Sequence, residues 1–175
     1  MSDTELLACL REQGAIFDQT RVYRYALWRE WNPLFISGDF PQYVLFICLN
    51  PSTADEAKND PTIRRCIAYA RQWGYSALVM ANLFAHRATV PQTLLCVSDP
   101  IGPENDAHLK TLAERAELTV AAWGGHCSTP ARAQKVQPLL SGRTVCLGLT
   151  KSGAPLHPLY VKKEAVLQPF IGETP

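Results

Sequence analysis

Two asparagines, a histidine and an aspartate stand where they could hold a heterocycle and split a bond next to it. Asn50 lies in the run Asn50-Pro51-Ser52-Thr53-Ala54-Asp55, directly after an apolar stretch, and Asn82 closes a second apolar stretch. His157 is held between Pro155 and Pro158 in the segment Thr150-Lys151-Ser152-Gly153-Ala154-Pro155-Leu156-His157-Pro158-Leu159-Tyr160. An Asn side chain carries both a donor and an acceptor, which suits the edge of a nucleobase. Phe84, Trp123 and Tyr160 offer faces on which a ring stacks, and Arg87 and Lys151 offer positive charge for a phosphate. Ser52, Thr53, His86 and Gly124 complete the ligand-binding set. The reactive set is Asn50, His157 and Asp55.

The elements that must bring these residues together are short and regular. The apolar runs Tyr43–Leu49, Ala77–Leu83, Leu118–Trp123 and Thr144–Leu149 read as parallel strands covered on both faces. Between them lie helix signals. Asp60-Pro61 supplies an N-cap and a first-turn proline, Ile63, Cys66, Ile67, Ala70 and Trp73 form an apolar stripe, and Gly74 ends it. Pro103-Glu104-Asn105-Asp106 opens a second helix carrying Leu109 and Leu112, and Thr129-Pro130 opens a third. Strand–helix alternation predicts a parallel sheet with right-handed crossovers and helices on both faces. In such sheets ligands bind beyond the carboxyl ends of the strands. The residues above fall in those post-strand loops, as does His126. The expected fold is a three-layer α/β/α domain with a central four-stranded, mainly parallel sheet.

The N-terminal part reads differently. An amphipathic helix is expected over Asp3 to Gln13, and the aromatic, alternating segment 21–37 reads as an edge hairpin turning at Asn32-Pro33. The 175 residues fit one domain, with 1–37 as helix and hairpin and 43–170 as the α/β core.

Several functions are disfavoured. The formal net charge of +1 provides no global field for nucleic acid, so such a partner would need a local patch. Arg64, Arg65, Arg71, Lys162 and Lys163 hint at one, equally readable as a solvated face. Six cysteines (Cys9, Cys48, Cys66, Cys96, Cys127, Cys146) form no C-x-x-C pair and read as free, mostly buried thiols of a reducing compartment. Neither a bilayer-spanning run nor a signal peptide is evident, so a cytoplasmic protein without membrane contact is expected. There is no phosphate loop, nucleophile elbow or dinucleotide fingerprint, and no pair among His86, His126 and His157 has i, i+4 spacing. Neither cofactor nor metal is expected.

The runs LNPSTAD (49–55), NDPTIRR (59–65), WGY (73–75), NLFAHRAT (82–89), GPEND (102–106), AWG (122–124) and GLTKSGAPLHPLY (148–160) closely resemble a bacterial and phage family catalogued as domain-of-unknown-function family 1643. The match runs from about Tyr23 to Phe170 and implies no activity. More distantly, the loop order resembles the uracil-DNA glycosylase superfamily, whose fold is a four-stranded parallel α/β/α domain. In that resemblance Asn50-Pro51 is similar to a first motif whose Asn positions the attacking water. Asn82 falls where an Asn reads the flipped base, and His157-Pro158 where a histidine steadies charge on the departing base. Leu159 stands where the superfamily has Ser, and the segment that would wedge into DNA is reduced to residues 159–163.

Three functions follow as expectations. The first is a glycosylase-like hydrolase acting on a nucleobase or nucleotide, in nucleic acid or free. The second is a module that binds a nucleotide or nucleic acid without turnover, which a neutral residue at Asn50 favours. The third is a partner-binding protein whose interface is the hairpin, should Trp28 and Trp31 both be exposed.

Overall fold

The computed structural model describes residues 13–31, 42–126, 129–140, 144–162 and 164–170. In chain order they form β1 (Gln13–Phe17), β2 (Arg24–Glu30), β3 (Tyr43–Cys48), α1 (Pro61–Gln72), β4 (Ala77–Asn82), α2 (Asn105–Arg115), β5 (Leu118–Ala121), α3 (Thr129–Val136), β6 (Thr144–Cys146) and β7 (Gln168–Pro169). The seven strands make one mixed sheet in the order β1-β2-β4-β3-β5-β6-β7. The four expected strands pair in parallel, β4 with β3, β3 with β5 and β5 with β6. Antiparallel strands flank them on both sides.

Strands β3, β4 and β5 are buried along their whole length, which explains why their sequences are apolar throughout instead of alternating. Along β3 the side chains divide between two cores. Tyr43, Leu45 and Ile47 join Leu109 and Leu112 of α2 and Val136 of α3. Val44, Phe46 and Cys48 join Ile63, Cys66, Tyr69 and Ala70 of α1. The chain from β3 to β4 therefore crosses one face through α1, and the later connections cross the other. Strand order reverses beside β3, which leaves a crevice at its carboxyl end. Tyr69 and Trp73 stack at 5.4 Å, and Trp73 stacks on Phe46 at 5.8 Å.

The helix starts behave as their sequences require. Asp60 caps α1 by accepting the Ile63 amide at 2.8 Å, and Gly74 adopts φ 86° after its end. Asn105, at the start of α2, is fully buried and donates to the carbonyls of Asn82 and Leu83 at 3.1 and 3.0 Å.

The N-terminal expectation needs correction. The hairpin pairs β1 with β2 and turns between Phe17 and Arg24, not at Asn32-Pro33, which lies outside the described residues. Asp18 organises that turn, because its carboxylate accepts the amides of Tyr23 at 2.7 Å and Thr20 at 3.0 Å. The edge is β1, whereas β2 runs between β1 and β4. The expected helix over Asp3 to Gln13 lies outside the described residues apart from Gln13, which begins β1. Cys9, Cys127 and Lys163 also lie outside them. Of the remaining cysteines, Cys48, Cys66 and Cys146 are buried free thiols and Cys96 is exposed.

Trp28 is buried, and Trp31 is half-buried with its indole N–H on the Tyr75 carbonyl at 3.0 Å, so the two do not form an exposed aromatic pair. Gly14 makes room for Trp28 across the hairpin: a Cβ there would stand 2.3 Å from the indole. Gly14→Ala is therefore expected to destabilise the fold by about 1–3 kcal/mol through overpacking. A lowered denaturant midpoint at unchanged slope is the readout.

Candidate functional site

Backbone hydrogen bonds lash the post-strand loops to one another. The amides of Leu83 and Phe84 donate to the carbonyls of Cys48 and Leu49, and the Ala88 amide donates to Pro51. On the other side the Gly124 amide donates to the Pro155 carbonyl at 2.9 Å, with Gly124 at φ 74°. That conformation is strained for any residue with a Cβ. The segment carrying His157 is closed by Thr150–Ala154 and Leu156–Gly148 hydrogen bonds, which fix its shape.

These loops enclose a cleft of about 470 Å³, within the range of small-molecule sites. Asn50, Asn82 and His157, remote in sequence, all line it. So do Ser52, Trp123, Gly124 and Tyr160 from the expected set. Asn50 donates through Nδ2 to the carbonyls of Ala88 at 2.7 Å and Pro51 at 3.0 Å. Both amide hydrogens are thus used, and Asn50 meets a ligand or water as an acceptor through Oδ1. Asn82 is 1% exposed, and its Nδ2 has no hydrogen-bond partner among the described residues. A buried amide without its bond carries a penalty of about 1–3 kcal/mol, and such groups mark places where a ligand or water completes the structure.

His157 caps the short 3₁₀ turn Pro158–Tyr160, its Nδ1 accepting the Leu159 amide at 3.4 Å. An accepting Nδ1 is unprotonated, so the neutral ring carries its proton on Nε2 as a donor. Burial lowers the imidazole below its ordinary value, and the Asp60 carboxylate offsets this only in part. Tyr160, 83% exposed, tilts against the ring at 5.7 Å and forms the rim. Trp123 is held edge-on by Phe170 at 5.4 Å and supplies an aromatic wall.

Six expected residues lie elsewhere. Asp55 is spent on its own turn, accepting the amides of Ala57 at 3.0 Å and Lys58 at 2.7 Å, which hold its carboxyl below the usual range. Phe84 is packed in the core. His86 bridges to Tyr23 and meets its ring edge-on at 5.9 Å. Arg87 lies over Phe17 and donates to the Arg21 carbonyl. It lines a neighbouring open groove together with Thr53. Lys151 is an exposed turn residue. Thus the charge expected from Arg87 and Lys151 is not in the cleft.

The cleft's charges come from residues that the sequence left in structural roles or passed over. Asp60 lines it while capping α1. Arg24 lines it from the start of β2, 2% exposed, and burial brings its guanidinium down to about 10 despite the opposing pull of Asp60. No local pattern marks Arg24; only the long-range pairing of β2 with β4 places it there. His126 also lines the cleft, whereas His86 does not.

Burial also lowers the His108 imidazole, which stacks on Tyr25 at 4.8 Å. Both histidines are neutral in the fold at a pH where the unfolded chain protonates them, near 6.5. In that window the unfolded state binds more protons, so stability is complete above about pH 6.5 and falls as pH drops toward the depressed folded values. Melting temperatures between pH 7.5 and 5 are expected to fall, and His108→Gln is expected to flatten the slope.

A mixed seven-stranded sheet with helices, and a cleft at the carboxyl ends of its parallel strands, defines an α/β protein. The chain belongs to the family described as protein of unknown function (DUF1643), whose model matches residues 24–159. No curated protein and no solved structure matches it. Among the described residues no helix is long and apolar enough to cross a membrane.

Proposed function

We propose that the protein is a glycosylase-like hydrolase that binds a nucleobase in the cleft and cleaves its N-glycosidic bond. The observation that carries this reading is the convergence of Asn50, Asn82 and His157 on one cleft, with an acceptor, an unpartnered amide and a neutral imidazole donor. The motif order that resembles the uracil-DNA glycosylase superfamily supports it. Asn82 pairs with the base edge, and Trp123 provides the apolar surface against the ring. Asp60, and not Asp55, takes the carboxylate role: with Oδ1 on the Ile63 amide, Oδ2 remains to accept from a water that Asn50 also orients. The water oxygen bonds to C1′ while the C1′–N bond breaks, its electron pair leaving with the base. His157 Nε2 donates to the base oxygen where charge develops. The water's proton, held in passing by Asp60, ends on the base.

Incubation of the purified protein with nucleosides, nucleotides and damaged or modified DNA and RNA, followed by chromatography, is expected to show a free base. Absence of a released base from every substrate would overturn the hydrolase. A second reading, binding without turnover, is favoured by the engagement of both Asn50 amide hydrogens in loop bracing. It predicts saturable binding of an unaltered nucleotide.

A further inference from the structure

Three arginines are buried among the described residues: Arg24, Arg29 and Arg132. Arg29 is saturated. Its Nε donates to Asn59 Oδ1 at 2.8 Å, and its terminal nitrogens donate to the carbonyls of Trp28 and Asp55, each at 2.7 Å, with longer contacts to Gly14 and Lys58. Arg132 donates to the Leu83 carbonyl and forks onto the Asp106 carboxylate. Arg24 differs from both. Among the described residues its side chain has one bond, from NH1 to the Ala54 carbonyl at 2.9 Å, its Nε is buried without a partner, and it alone of the three lines the cleft. Among the described residues no other arginine or lysine lines that cleft.

A desolvated guanidinium with unused donors is a receptor for an oxyanion, two of whose oxygens it meets with parallel hydrogen bonds. We propose that Arg24 binds a terminal phosphate of the ligand, so that the species held in the cleft is a nucleoside monophosphate, free or at a strand end, and not a bare base or nucleoside. This rests on the nucleobase reading of the same cleft. Depth selects the terminal phosphate: an internal phosphodiester reaching a side chain 2% exposed would have to draw both flanking nucleotides inward. Asp60 shares the cleft and opposes an anion, and the His157 ring is neutral. Asp60→Asn is therefore expected to tighten phosphate binding while impairing turnover.

The test is calorimetric titration of the intact protein with nucleosides, their 5′-monophosphates, oligonucleotides with and without a terminal phosphate, and inorganic phosphate alone. The 5′-monophosphate and the end-phosphorylated strand are expected to bind about ten- to a hundredfold tighter than their unphosphorylated counterparts, the worth of charge-assisted bonds. Arg24→Gln is expected to erase that ratio and Arg24→Lys to reduce it, the nucleoside measured on the same variant being the reference in each case. Equal affinity of wild type for nucleoside and monophosphate overturns the proposal, and this arm needs no variant. Preference for oligonucleotides irrespective of end phosphate also overturns it. If no nucleoside or nucleotide binds, the nucleobase reading fails on its own. Inorganic phosphate then decides Arg24: binding lost in Arg24→Gln upholds the anion site, and no binding overturns it.

Discussion

His157→Asn is expected to lower the rate of base release by about 10²–10³-fold while leaving the melting temperature within a few degrees of wild type. The expectation follows from the two ring nitrogens having separate duties. Nδ1 accepts the Leu159 amide and caps the Pro158–Tyr160 turn. Asparagine is itself a good capping residue and keeps an acceptor near that position. What it cannot reproduce is the Nε2 donor, one bond further out. If the loss falls on kcat with little change in KM, the lost contact belongs to the transition state. An equal loss of binding and rate would instead assign His157 to holding the ground state. Because the ring stays neutral in the fold, activity is also expected to survive below pH 6.5 better than that of an enzyme depending on an ordinary histidine as base.

Arg132→Met is expected to lower stability by about 2–3 kcal/mol, the largest effect among substitutions outside the cleft. The Arg132 side chain is 3% exposed, donating through Nε to the Leu83 carbonyl at 2.8 Å and through its fork to Asp106. Asp106 is half-exposed, so its carboxylate finds water when the partner goes, which keeps the loss below that of a fully buried pair. Methionine retains most of the apolar stem, so the measured loss reports mainly on the guanidinium. A chain of this size should melt roughly 5–10 °C lower. Asp106→Asn, which leaves the Leu83 bond in place, should cost less; equal losses would show that the ion pair and not the carbonyl bond carries the effect. Leu83 directly follows Asn82, whose own carbonyl is held by Asn105, so Arg132→Met is also expected to weaken nucleotide binding.

Much of the architecture was legible because the relevant signals are local. A strand covered on both faces must be apolar throughout, and the four central strands were found to within three residues at their carboxyl ends. Asp60-Pro61 and Gly74 mark α1 because capping and positive φ are properties of single residues. The loops that carry Asn50, Asn82 and His157 were legible for a topological reason: post-strand loops of a parallel sheet share one rim. The hairpin turn was misplaced because Asp18 builds it with side-chain acceptors, whereas Asn32-Pro33 is a stronger sequence signal. Phe84, His86 and Arg87 show a second limit. Membership of a post-strand loop does not fix direction, and here the chain turns toward β2 and away from the cleft. Arg24 and Asp60 show a third, since one residue can serve packing and site together.

The arginines of β2 have a mechanical consequence for ligand entry. Arg29 grips the carbonyls of Asp55 and Lys58 and the side chain of Asn59, and Arg24 holds the carbonyl of Ala54. The connection from β3 to α1 is thus pinned from behind between Ala54 and Asn59, and that stretch of wall cannot swing as a door. Reorganisation on this side is already spent in folding, so association loses little freedom there. The rim residue Tyr160 stands in solvent instead, and the speed of capture should answer to changes at that rim more than to changes in the pinned wall.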